Sequence, residues 1–465
     1  MATRQILDTW QAAITRKPPF CTGTIPILSE DATLFYKDKE GGKARWLDLS
    51  QATMDDLQIL TEACEPATFG LGQRDVLDED YRKAGKMDRS NFLVSLDVAH
   101  LGIVDRVRAQ LLEGDDEKYY VKAELYKLNV YAKGSFFKSH KDTPRGDNMF
   151  GSLVIVFPTP HDGGALKLSH EGQDWTFNSA ALTQSEATPS IAYIAFYSDV
   201  DHEVTLVTSG HRVTLTYNLF LDTNPGRIPP STVEPVAPDD GPFRDAVKAA
   251  LDDPYFLPKG SYVGFGLSFK YPISQVEEGR STDARVLKGS DAMIFRVLKK
   301  LSLSPSLNAV YEDNNDVNIL VPSDDLFTGG YYFGDEDFMT YLCGYHNGRV
   351  IRDSAQRSYY KEAYRVQDLP VPIRMVWATP LTLHSSFESS YPAHGNEPST
   401  QYVYANLCIA VKIGPFGDRA SREELAHDSS DDSSEGDPAS DGNWNDEAFL
   451  DEDKDGEEDN GSGEE

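Results

Sequence analysis

Cysteine is scarce in this 465-residue chain: there are four, Cys21, Cys64, Cys343 and Cys408. They lie far apart and form no C-x-x-C, so no disulfide framework is expected. A reduced, intracellular protein, cytoplasmic or nuclear, is the matching expectation. Long apolar runs are missing too. No eighteen consecutive apolar residues occur, so no transmembrane helix and no membrane partner are expected. "MATRQILDTW" has no apolar stretch of the signal-peptide kind. Basic residues are outnumbered, 44 Lys and Arg against 75 Asp and Glu, for a net charge of −31. From Asp428 onward there are 17 acidic residues and one lysine, which leaves −15 on residues 1–427. A body this acidic argues against broad, phosphate-driven nucleic-acid binding.

Aromatics are plentiful, with 22 Phe, 23 Tyr and 5 Trp, enough for a sizeable core. Residues 1–118 read as a helical region packing on a barrel. Ile6, Leu7, Trp10 and Ile14 share one helical face, and Leu101, Val104, Val107 and Leu111 share another. The polar, glycine-bearing "FGLGQRDVLDEDYRKAG" between them reads as a loop. Residues 119–222 change to eight short strand-like pieces separated by turns, which suits an antiparallel sandwich or barrel. Residues 223–243 are a Pro-rich linker. Residues 244–416 read as a mixed α/β module, a candidate degenerate barrel without metal ligands. A helix is expected at "SDAMIFRVLKKL" and strands at "SYVGFGLSF", "IRMVWATPLTL" and "YVYANLCIAVKI". Residues 417–465 are low-complexity and acidic, and read as a disordered tail able to bind a basic partner. Trp444, Phe449 and Leu450 are its exceptions, a candidate docking peptide.

The stretch "SHKDTPRGDN" sets His140 two residues before Asp142. Such a pair alone is weak evidence, because about one position in six is acidic and chance supplies about one or two among ten histidines. In a strand, residues i and i+2 face the same way, so both side chains can aim into a barrel mouth. A third ligand must come from elsewhere. His161, His170, His202 and His211 are the candidates, and His202, between an apolar strand and "HEVTLVT", is the best placed. Two histidines and a carboxylate suit non-haem iron(II). In "GHRVTLTYNL", Arg212, Thr214 and Thr216 share a face. A guanidinium on a barrel interior needs an anion, and its planar fork suits a carboxylate. His211 points the other way and reads as structural. Asp201 or Glu203 could orient the His202 ring.

With "YAKGSFFKSHKD", "GSLVIVFP", "GGAL", "SDVDHEV" and "GHRVTLTYNL" in that order, the chain resembles the Fe(II)- and 2-oxoglutarate-dependent dioxygenases of the prolyl 4-hydroxylase-like type, and more narrowly fungal oxygenase-domain proteins of uncharacterised substrate. The resemblance implies a mainly β fold with flanking helices, built on a double-stranded β-helix (jelly-roll) barrel. It implies metal ligands at His140, Asp142 and His202, and cosubstrate contacts at Arg212, Thr214 and Tyr131. Fe(II) and 2-oxoglutarate are the expected cofactors, with ascorbate a candidate. The implied reaction is C–H hydroxylation, with a prolyl or other protein side chain favoured over nucleic acid as substrate, and succinate and CO2 as coproducts. Arg145 is either a substrate contact at the entrance or a solvated loop residue. The alternative reading is a catalytically inactive barrel serving as a binding or scaffold protein.

Overall fold

In this computed structural model the described residues are 2–39, 42–71, 74–112, 120–146, 148–184, 188–222, 240–271, 287–312, 318–329, 338–353, 372–393 and 399–421. Most of the linker 223–243 and nearly all of the tail 417–465, including Trp444, Phe449 and Leu450, fall outside them. Residues 1–423 form one unit.

The strand Val207–Asp222 organises the barrel. Its Val213, Leu215, Leu219 and Leu221 are almost fully buried on one face, while Arg212 and Thr214, equally buried, lie on the other. Period-two alternation therefore gives an apolar outer face and a polar inner one. The larger sheet runs Phe20–Pro26, Ser190–Tyr197, Met149–Val156, Val207–Asp222, Tyr120–Ala132, Gly85–Asp88 and Glu65–Pro66. The facing sheet runs Gln173–Phe177, Leu166–His170, Asp201–Val204, Phe136–His140 and Arg82–Lys83. Together they make the jelly roll. The chain from Asp201 to Asp222 forms two strands, Asp201–Val204 and the long Val207–Asp222, separated at Thr205 and Leu206.

Residues 1–118, read as a helical region packing on a barrel, carry strands as well as helices. Its helices Met54–Ala63 and Ile103–Leu111 do pack on the larger sheet. The first is started by Thr53, whose hydroxyl accepts from Asp56 N–H while the Asp56 carboxylate accepts from Thr53 N–H. The region also supplies strands to both sheets, 20–26, 65–66 and 82–83 at edges and 85–88 between 65–66 and 120–132, and it forms a separate sheet of Ala44–Asp48, Thr33–Lys37 and Phe92–Val94. An edge strand needs only one partner, so a polar two-residue piece such as Arg82–Lys83 serves. The helix Ala2–Ala13 does not sit on the barrel. Its Trp10 is fully buried against Phe243, Phe256 and Phe265 of the C-terminal module.

That module is a mixed sheet in the order Ser261–Gly266, Ile373–Thr379, Arg349–Asp353, Asn318–Pro322, Pro305–Glu312, Ser399–Ile413 and Ser386–Ala393, and it closes on itself by pairing of 261–266 with 399–413. Helices Gly241–Leu251 and Gly289–Lys300 accompany it. A buried ion pair ties it to the barrel: Lys288 Nζ lies 2.7 Å from Asp199 Oδ1, and Lys270 N–H donates to the other oxygen at 2.8 Å. Among the described residues no helix is long and apolar enough to cross a membrane.

Candidate active site

Antiparallel pairing of Phe136–His140 with Asp201–Val204 sets His140 directly opposite His202, with a register irregularity after Phe137. Asp142 lies just past the end of its strand. The ligating atoms of His140, Asp142 and His202 all lie within 4.8 Å of one another, the one such group of three among the described residues. His140 Nδ1 is 2.8 Å from Lys138 O, and His202 Nδ1 is 3.0 Å from Val200 O. Each Nδ1–H therefore donates to a carbonyl, which leaves both Nε2 lone pairs for the centre of the group. Burial, with the neighbouring His202 and Arg82, pushes His140 down to about 2, so it is neutral, as a metal ligand must be. Asp142 Oδ1 is 3.8 Å from His202 Nε2, and its Oδ2 accepts from Ser152 Oγ at 2.6 Å.

Neither Asp201 nor Glu203 orients His202, contrary to expectation. Neighbours on a strand face away from it, and they pair instead with Lys141 at 3.4 Å and Lys167 at 3.1 Å. The Val200 carbonyl takes that role. The other candidate histidines lie apart from the group. His161 bonds Thr159 O at 2.8 Å, His170 stacks on Phe269 at 4.7 Å, and His211 is on the opposite face of its strand from Arg212.

Along the inner wall, Tyr131 pairs with Arg212, Asn129 with Thr214 and Lys127 with Thr216. Arg212 is only 1% exposed, and burial pushes its guanidinium down to about 10, still a cation at neutral pH. Its Nε donates to Ser179 Oγ at 3.4 Å, its Cζ lies 5.5 Å from the Tyr131 ring centre, and its buried Nη2 has no partner among the described residues. Gly164, at φ +66°, lets the backbone pass close to it: a Cβ there would meet Arg212 Cδ at 2.9 Å.

A cavity of about 860 Å³ joins the histidine–aspartate group to this wall, and Arg145 lines it. Several residues on it were not singled out in the sequence. Arg82 donates to Thr68 O at 2.6 Å and to Asn129 Oδ1 at 2.9 Å, and covers the Phe137 ring at 4.3 Å. Phe137 in turn stacks on His140 at 3.6 Å. Lys127 and Tyr126 also line the cavity. The alternation of "ELYKLNVYA" pointed at Lys127 and Asn129; nothing local marked Arg82.

Residues 126–220 match the 2OG-Fe(II) oxygenase superfamily. The histidine–aspartate group, Tyr131, Arg212 and Thr214 fall inside the matched residues, and Arg82 outside them. The chain is similar to a prolyl-4-hydroxylase from Pseudomonas putida, at 15% identity and TM-score 0.26, covering 46% of this chain and 98% of that one. It is similar to a Trichoplax adhaerens prolyl hydroxylase in complex with a hypoxia inducible factor peptide fragment, at 16% identity and TM-score 0.27, covering 47% and 93%. It is also similar to the α-ketoglutarate-dependent epimerase SnoN of nogalamycin biosynthesis, at 12% identity and TM-score 0.23, covering 50% and 93%. Likeness this distant speaks neither to substrate nor to activity. No curated protein matches the chain.

Proposed function

We propose that the barrel is an Fe(II)- and 2-oxoglutarate-dependent oxygenase that hydroxylates a C–H bond of a protein side chain, prolyl among the candidates, releasing succinate and CO2. The carrying observation is the pairing of a two-histidine, one-carboxylate group with a buried arginine whose Nη2 has no partner among the described residues, on one cavity. This donor set fits iron(II), and the unpartnered guanidinium nitrogen fits the far carboxylate of 2-oxoglutarate.

In this reading His140, Asp142 and His202 would hold the metal. Arg212 and Thr214 would hold the far carboxylate, with Tyr131 beside them. Bound metal and cosubstrate would together supply the oxidising chemistry. The chain's own residues do the rest. Lys138 and Val200 carbonyls fix the tautomers, Ser152 anchors the carboxylate, and Phe137 and Phe196 keep water from the imidazole faces. Arg212, kept from water, binds an anion more strongly than an exposed arginine would.

The test is succinate formed from 2-oxoglutarate by purified protein with and without Fe(II). Iron-dependent succinate, lost in His202→Ala, supports the reading. Tight 2-oxoglutarate binding with no succinate under any substrate screen would favour the inactive scaffold.

A further inference from the structure

The wall beyond Arg212 carries charge that the oxygenase reading does not use. Between Leu125 and Lys127 the strand Tyr120–Ala132 has a register shift against Val207–Asp222, and Tyr126 is the extra residue. Such a bulge re-aims side chains, and here both Tyr126 and Lys127 line the cavity. Lys127 Nζ lies 4.5 Å from the Tyr126 ring centre, and the Arg145 guanidinium lies 4.3 Å from the same ring and donates to its hydroxyl. Lys127 is only 8% exposed. Among the described residues neither cation has a carboxylate partner, although the chain carries 75 Asp and Glu.

The whole cavity shows the same imbalance. Among the described residues its lining includes Arg82, Lys127, Lys141, Arg145 and Arg212, against one carboxylate, Asp142. Lys141 is paired with Asp201, Arg82 is tied to Asn129 and the Thr68 carbonyl, and Arg212 is assigned to the cosubstrate. Lys127 and Arg145 remain. A cation over an aromatic ring is stabilised by the ring's quadrupole, but this does not offset the cost of a largely buried ammonium without a counter-charge. Nor does the cosubstrate's far carboxylate reach them. Lys127 is opposite Thr216, four residues along from Arg212, about 13 Å at strand rise.

We propose that the cavity selects its substrate by a negatively charged group, a carboxylate or phosphate, held between Lys127 and Arg145. This rests on the oxygenase reading for what happens after binding, but not for binding itself. The cations serve as positioning and specificity residues; the exposed Arg145 draws the anion in, and Lys127 fixes it.

The experiment titrates blocked proline-containing hexapeptides onto the full chain by calorimetry, identical except for Glu, Gln or Lys beside the proline. N-acetylproline and its neutral amide form a second arm that separates a small acid from an acidic peptide. Binding of the Glu peptide, or of N-acetylproline, at least tenfold tighter than its neutral counterpart is expected. Lys127→Met together with Arg145→Gln should bring that ratio close to one, and Arg145→Glu should favour the Lys peptide. Arg145 is exposed, so its variants report even where Lys127→Met lowers yield. Equal binding of charged and neutral probes, or a preference indifferent to both substitutions, overturns the proposal. Succinate release is then measured with Fe(II) and 2-oxoglutarate. Acidic preference in binding without any succinate removes the oxygenase reading and keeps the anion site. Succinate release stimulated equally by all probes does the reverse.

Discussion

Lys288→Met removes the cation from a buried pair that joins the barrel to the C-terminal module. Both partners are under 10% exposed, and the contact is 2.7 Å. Lys288 Nζ also donates to Lys270 O at 2.9 Å. Burial alone would raise the Asp199 carboxyl, but Lys288 and the Lys270 N–H outweigh it and hold it below the usual range. Without Lys288, Asp199 keeps a buried charge and one backbone donor. Breaking such a pair from one side costs about 3–5 kcal/mol. Urea unfolding at pH 7, followed by tryptophan fluorescence, measures it. Asp199→Asn combined with Lys288→Met should be less damaging than the sum of the single changes, by about 2 kcal/mol. The effect should also reach the site, because the Val200 carbonyl next to Asp199 holds His202; iron(II) binding should weaken. A loss below about 1 kcal/mol, the value of an exposed pair, refutes the reasoning. Because the Asp199 carboxyl is lowered on folding, its contribution is present above its unfolded value of 3.8 and lost as pH falls below that.

Other consequences are testable in the same way. Arg212→Ala should weaken 2-oxoglutarate binding by about 10–100-fold, the worth of a charge-assisted contact, with iron affinity unchanged, and Arg212→Lys should recover part of it; calorimetry with Mn(II) as a redox-inert metal reads both. Gly164→Ala should act on the same quantity without touching a polar group, since its methyl would press on Arg212 Cδ; unchanged cosubstrate affinity would mean the guanidinium has room to move. Asp291, wholly buried and accepting from Ser268 N–H, Phe269 N–H and the Tyr271 hydroxyl, is raised by burial from 3.8 to about 7. The folded state then binds the extra proton between those values. Its contribution is full below pH 3.8 and gone above about 7, falling by about 1.4 kcal/mol per pH unit between. Asp291→Asn should flatten the stability–pH curve in that window, and an unchanged slope would show the carboxyl is not raised.

The parts of the site legible in the sequence are those that follow a period or a short spacing. His140 and Asp142 are two apart. Arg212 and Thr214 alternate on a strand whose other face is Val213 and Leu215, and Tyr131 faces Arg212 because the two strands pair in register. The parts that were not legible depend on tertiary pairing. Arg82 comes from a two-residue edge strand inside a polar stretch, and only its pairing with Phe136 and Phe137 brings it to the cavity. Tyr126 breaks the alternation because the bulge adds one residue. The His202 orienter is a backbone carbonyl, which no side-chain pattern announces. Trp10 fits an amphipathic helix, but its face alone does not say which apolar surface, barrel or C-terminal module, will cover it.

On the proposed reading, His140, Asp142 and His202 make one metal site that works with Arg212. An anaerobic titration of Fe(II) into the protein, with and without 2-oxoglutarate, tests it most directly. One equivalent of iron should bind, one equivalent of 2-oxoglutarate should bind tightly only once iron is present, and both should be lost in His202→Ala with the fold intact by circular dichroism. Iron binding of undiminished affinity in His140→Ala, Asp142→Ala and His202→Ala alike would contradict it.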